Sequence, residues 1–206
     1  VLGTGVDISD EALAAAQSAR YPLTCRELRR LTPADIDELV HGGLFDRDVD
    51  ALVVRPSVTC GSRWVQADAI GSSLADQLGL QDVVFVNNIL CHYRDAESVT
   101  GLRNIATLVA PGGYLFLQGI DLDVKTQVVG ALRLEPRRAQ LEELYRGDTR
   151  ALVRWPVTYW GPEPIDRRRA DWVMRYATVF RRPVDPRANQ SSIRSLDAAT
   201  RSDTFR

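Results

Sequence analysis

The run Asp82-Val83-Val84-Phe85-Val86-Asn87 leaves few folds open. Its β-branched and aromatic residues follow one another without polar alternation, the pattern of a parallel strand covered on both faces. A helical pattern precedes it over 72–78 and another follows over 95–109, the latter stopped by Pro111-Gly112-Gly113. Tyr114 to Gln118 then predicts the next strand. Strands alternating with helices of about a dozen residues predict an α/β fold with an open, doubly wound, mostly parallel sheet.

Earlier in the chain, 1–7 reads as a short buried strand, and Ser9-Asp10-Glu11 offers an N-cap with acidic first-turn residues to an alanine-rich helix ending near Ala19. Pro33 to Val40 predicts a helix with proline in its first turn. Strands are expected at Ala51 to Arg55 and Arg63 to Ala67. Beyond the central run, Val124 to Gly130 predicts a helix, Ala131 to Leu134 a strand, Arg137 to Tyr145 a helix and Arg175 to Phe180 a last strand. An aromatic-rich loop with three prolines spans Trp155 to Trp172. From Arg182 to Arg206 the apolar anchors thin out, the composition of a disordered tail. One domain over 1–181 is therefore expected, with the tail at 182–206.

Composition excludes several classes. The 206 residues carry 26 basic and 27 acidic side chains, net charge −1, so no global field draws nucleic acid or an anionic membrane. No apolar run approaches the roughly 20 residues of a membrane-spanning helix. Cys25, Cys60 and Cys91 show no CxxC spacing, which points to neither a zinc site nor a disulfide framework and fits a reducing, cytoplasmic setting.

In open α/β sheets ligands lie beyond the carboxyl ends of the strands, where helix N-termini present free N–H groups. The predicted strand ends carry Asp7 with Ile8, Asp68 with Ala69, and Asn87 with Asn88. An acidic residue closing a strand before a helix can accept both ribose hydroxyls, or it can simply cap that helix. Asp68 and the two asparagines have turn formation as their plain alternative. His92 can act as a general base or as a hydrogen-bonded packing residue. Trp155, Tyr159, Trp160 and Trp172 can cap a pocket or fill a core, and Arg167-Arg168-Arg169 reads as a solvated face.

Three segments carry a family resemblance. Gly5-Val6-Asp7-Ile8-Ser9, continuing through Ala12-Leu13 to Tyr21, resembles the second strand and helix of the CheR-type chemotaxis methyltransferases. Val83 to Tyr93 resembles that family's fourth-strand motif, with Asn87 where the family has arginine and His92 where it has tyrosine. Leu108 to Leu115, with Pro-Gly-Gly, resembles the lead into the fifth strand of class I methyltransferases. Together they cover roughly residues 1 to 120 in the family's order.

The resemblance implies a Rossmann-like class I fold and methyl transfer from S-adenosyl-L-methionine, to a carboxylate of a protein or to a small molecule. Asp7 and Ile8 would bind the ribose, Asp68 and Ala69 would lie along the adenine, Asn87 and Asn88 would line the methionine end, and His92 would stand near the methyl group. No metal is implied. Gly3-Thr4-Gly5 runs directly into Val6-Asp7 with no helix between, so it belongs to a strand and is not the cofactor's glycine loop. The fold is accordingly expected to lack its first strand, and the cofactor to bind weakly or not at all. The alternative is a non-catalytic methyltransferase-like domain that binds a partner.

Overall fold

The computed structural model describes residues 2–25, 28–146 and 163–184. Two compact units divide the chain, Val1–Ala69 and Ile70–Arg206. The architecture is mixed α/β, and each unit contains one parallel strand pair.

In the first unit, β1 (Gly3–Asp7), expected as a buried strand, is half-buried from Gly3 to Val6 and exposed at Asp7, and it leads into α1 (Asp10–Ser18). Ser9 caps the helix by accepting the Ala12 N–H at 3.2 Å, and Asp10 and Glu11 stand at the positive end of its dipole. β1 runs parallel to β5 (Ser62–Gln66), from Gly3 opposite Ser62 to Asp7 opposite Gln66. The Trp64 ring lies where any side chain at position 5 would stand, so Gly5 is required by this close approach.

A separate antiparallel sheet sets β4 (Ala51–Val54) between β2 (Arg20–Pro22) and β3 (Phe45–Arg47). Ala51 and Leu52 are its buried residues. Arg20 bridges Asp48 and Asp50 across its exposed side. α2 (Pro33–His41) begins in a reciprocal Thr32–Asp35 capping box, and α3 is the short Pro56–Thr59 turn. β2 and β3 went unpredicted because three polar-flanked residues carry no periodicity; their pairing with β4 creates them.

The second unit opens with α4 (Leu74–Leu78), then β6 (Gln81–Asn87), α5 (Asp95–Thr107) and β7 (Val109–Gln118). It continues with α6 (Leu122–Ala131), β8 (Glu135–Pro136), α7 (Leu141–Arg146), α8 (Trp172–Tyr176) and β9 (Val179–Arg181). The sheet order is β6-β7-β9-β8, with β6 and β7 parallel and β9 antiparallel to both its neighbours. Leu115 and Leu117 of β7 are buried, as are Leu102, Ile105 and Ala106 of α5 and Val124, Val128 and Val129 of α6. On the opposite face of β6, Val83 is 45% exposed and Phe85 73%. The continuous apolar run predicted cover on both faces; among the described residues one face is covered. Among the described residues β6 is hydrogen-bonded to β7 alone, and β1 to β5 alone.

Several predicted boundaries shift. Pro111-Gly112-Gly113 lies inside β7 as a bulge, since Gln81 faces Val109 while Val83 already faces Tyr114. A Cβ on Gly113 would stand 2.7 Å from the Asp82 carbonyl, so the bulge needs glycine there. The strand expected over Ala131 to Leu134 moves to Glu135–Pro136, because Ala131 closes α6 and Arg133 turns the chain in the left-handed region. Arg175 and Tyr176 belong to α8, and the last strand starts at Val179. A short apolar run fits helix and strand alike until its partners choose. α7 starts at Leu141, after Gln140 in the left-handed region, rather than at Arg137. Of the expected aromatic loop, 155–162 lies outside the described residues, as does 185–206 of the expected tail.

Candidate functional site

In the first unit the carboxyl ends of β1 and β5 gather four of the predicted residues. The Ala67 N–H donates to the Asp7 carbonyl at 3.1 Å, which carries the ladder one step past the strands and brings Asp68 and Ala69 to the end where Asp7 and Ile8 stand. Asp7 is not the cap of α1; Ser9 is. One Asp7 oxygen, Oδ1, accepts the Ser9 N–H at 2.8 Å and shapes the turn, while Oδ2 has no hydrogen bond among the described residues. Gln66 Nε2 donates to the Ile8 carbonyl at 3.3 Å, and the Ile8 side chain stays 67% exposed.

In the second unit Asn87 stands directly opposite Gln118 at the ends of β6 and β7. The Asn88 N–H donates to the Gln118 carbonyl at 3.2 Å, and Asn88 itself adopts the left-handed conformation, φ 54°. Gly119 turns in the same region, φ 68°, against Asn88. A Cβ at 119 would lie 2.7 Å from the Asn88 Cα and 2.9 Å from its nitrogen, so the two strand ends close on each other only because residue 119 is glycine. Asp121 Oδ1 then accepts the N–H groups of Asp123 and Val124 and starts α6.

After Asn88 the chain makes a 3₁₀ turn over Leu90–His92. Buried Ser98 donates to the Leu90 carbonyl at 2.8 Å and ties that turn to α5. His92 is exposed, and its N–H donates to the Ile89 carbonyl at 3.2 Å. Asn87, Gln118 and Thr178 line a cavity of about 180 Å³ whose remaining wall is apolar, chiefly Phe85, Phe116 and Leu144. Phe85 and Phe116 stack at 4.6 Å between centroids. Amides and a hydroxyl at the end of an apolar slot can orient a neutral polar group, and they supply no strong base.

Gln118 and Gly119 escaped the sequence reading, although the strand after Pro-Gly-Gly announced where the second carboxyl end would fall. Thr178 had no signal. It reaches the cavity because β9 returns antiparallel beside β7, the Leu117 N–H donating to its carbonyl at 2.8 Å.

Replacing Gly119 by alanine is expected to cost about 1–3 kcal/mol through left-handed strain and overlap with Asn88. Gly130 in α6 has open space around its Cβ position, so Gly130→Ala should gain about 0.5–1 kcal/mol. Urea unfolding of the two variants reads both signs; equal effects would remove the close-approach argument.

The strongest electrostatics of the second unit lie on α8. Buried Arg175 holds Glu163 through Nε at 3.0 Å and Nη2 at 2.6 Å, and Asp123 through Nη1 at 2.5 Å. The bonds from Arg175 and then Tyr176 hold the Glu163 carboxyl down at about 2. The same pairing with Glu163 raises Arg175. Burial, followed by the Glu163 charge, pushes the Tyr145 hydroxyl up to about 12; it donates to the Glu163 carbonyl at 3.0 Å. Lys125 is 2% exposed and donates to the Ala177 carbonyl at 2.9 Å. Burial, then repulsion from Arg175, brings its amine down to about 7. None of these residues was singled out from sequence except the Arg175 segment, taken there as a strand.

No grouping of three metal-ligating side chains occurs among the described residues, and no helix there is long and apolar enough to cross a membrane. No protein-family model matches the chain, and no curated protein matches it.

Proposed function

We propose that this protein takes part in methyl transfer from S-adenosylmethionine. The observation that carries the reading is the polar pair at each parallel carboxyl end, Asp7 with Asp68 in the first unit and Asn87 with Gln118 in the second. That is where open α/β sheets receive ligands. The resemblance to the methyltransferases assigns these residues to the cofactor's parts. Asp7 keeps one carboxylate oxygen available to ribose hydroxyls, and Ile8 offers apolar surface beside it. Asp68 and Ala69 are assigned to the adenine, Asn87 and Asn88 to the methionine end.

The bound cofactor supplies a sulfonium-activated methyl group. The protein's part is then to align donor and acceptor, for which positioned amides suffice and a strong base is unnecessary. His92 is assigned to the acceptor side, and a carboxylate is the proposed acceptor.

Chemical-shift perturbation in NMR, which reads weak binding, tests the reading. Saturable S-adenosylmethionine-dependent shifts are expected at Asp7, Ile8, Asn87 and Asn88. Asp7→Ala should weaken the affinity at least tenfold, about 1.4 kcal/mol. Absence of shifts, or shifts confined to other residues, would overturn the reading. Binding without transfer of labelled methyl to carboxylate acceptors would favour the non-catalytic alternative, which the exposed Val83 and Phe85 also support.

A further inference from the structure

β6 presents a seven-residue edge whose backbone is hydrogen-bonded to β7 on one side only among the described residues. Unpaired N–H and C=O groups at strand spacing are complementary to one thing, another extended chain. The edge carries none of the usual guards, since Gln81 to Asn87 contains no lysine, arginine or proline and Asp82 is its one charge. The extra residues of the bulge at Pro111 to Gly113 belong to β7 and not to β6.

The strand is also close to chemically symmetric about Val84, with Asp82 against Val86 as its one unlike pair. An antiparallel pairing of two copies with Val84 opposite Val84 sets Val83 opposite Phe85 twice, Gln81 opposite Asn87 twice and Asp82 opposite Val86 twice. Side chains directly opposite share a face, so both exposed apolar residues of one copy meet those of the other as aromatic and β-branched pairs. The terminal amides meet amides, and no like charges face each other. A two-residue shift of register sets Phe85 against Phe85 but Val83 against Asn87, leaving one apolar pair on that face in place of two. A net charge of −1 puts little repulsion between copies.

We propose that the free edge of β6 binds the β6 of a second copy of this chain, in antiparallel two-fold pairing centred on Val84, which joins the two four-stranded sheets into one of eight strands. A two-fold pairing of edges closes and does not propagate. The proposal does not need the methyl-transfer reading, with which it shares Asn87.

Sedimentation velocity of the full chain over a range of concentrations is expected to show a dimer. Phe85→Lys, at an exposed position where lysine keeps its hydration, should weaken dimerisation at least about tenfold while leaving the far-ultraviolet circular dichroism unchanged. Val83→Lys is the second edge variant, should the first misfold. Register is read in a background with Cys25, Cys60 and Cys91 changed to serine: an oxidised mixture of Val83→Cys and Phe85→Cys chains should cross-link to each other in preference to themselves. A chain that stays monomeric, a dimer indifferent to both lysine variants, or cross-linking without that preference would overturn the proposal.

Discussion

Replacing Lys125 by methionine is expected to stabilise the second unit at neutral pH by about 1–3 kcal/mol, an uncommon direction for a buried substitution. Lys125 on α6 is 2% exposed, and among the described residues its amine has one hydrogen bond, to the Ala177 carbonyl. Burial and the neighbouring Arg175 charge bring its amine from 10.5 down to about 7. A base whose folded pKa lies below its unfolded value binds its proton more tightly when unfolded. Stability therefore rises as the pH climbs from about 7 toward the unfolded value, and below about 7 the full penalty is present.

Over that window the rise should total on the order of 3–5 kcal/mol. Methionine keeps the length of the side chain and removes the titration, while the Ala177 carbonyl loses its donor at a cost of about 1 kcal/mol. Urea unfolding at several pH values checks both parts. A wild-type profile that is flat above neutrality, or a variant less stable than wild type at pH 7, would contradict the account.

The second large effect lies on the far side of the same cation. Glu163→Ala should destabilise by about 2–4 kcal/mol, because Arg175 stays buried with Asp123 as its one remaining ion-pair partner among the described residues and Tyr176 loses its short bond of 2.6 Å. The side chain of Glu163 is 40% exposed, so solvent screening keeps the loss below that of a fully buried pair. Its depressed pKa, about 2 against an ordinary 4.5, makes its contribution complete above 4.5 and lost as the pH falls toward 2. The alanine variant should lack that part of the acid transition. Pairing it with Arg175→Met should recover most of the loss, since removing both partners leaves no stranded charge. A double variant as unstable as the single one would mean that Arg175 matters for packing instead.

Both predictions concern residues without a local signature. Lys125 sits among Val124, Val128 and Val129 in a helix whose pattern was plain, but nothing in the pattern tells that α8 will press Arg175 against it. Glu163 follows a proline-rich stretch and becomes important only when the chain folds back so that it meets Arg175 and Tyr176, 12 and 13 residues on. Contacts of that kind depend on which elements are neighbours, and periodicity says nothing of neighbours.

The strand ends divide the same way. Asp7 and Asn87-Asn88 were legible because a carboxylate or amide closing an apolar run is a local pattern. Their pairing with Gln66 and Gln118, and the bend that forces glycine at 119, come from register.

By itself, then, the sequence determined where the long elements lie. Ser9 and the Thr32–Asp35 box start helices, apolar runs make β6 and β7, and the spacing of 95–107 makes α5, all through forces acting within a few residues. Tertiary structure decided the short strands β2, β3, β8 and β9, the helical state of Trp172–Tyr176, the face and edge of β6 left uncovered among the described residues, and the buried charges around Arg175. Short segments gain too little from their own backbone bonds to choose a state, and burial of a charge is set by what packs over it. For both, the partner supplies the deciding free energy.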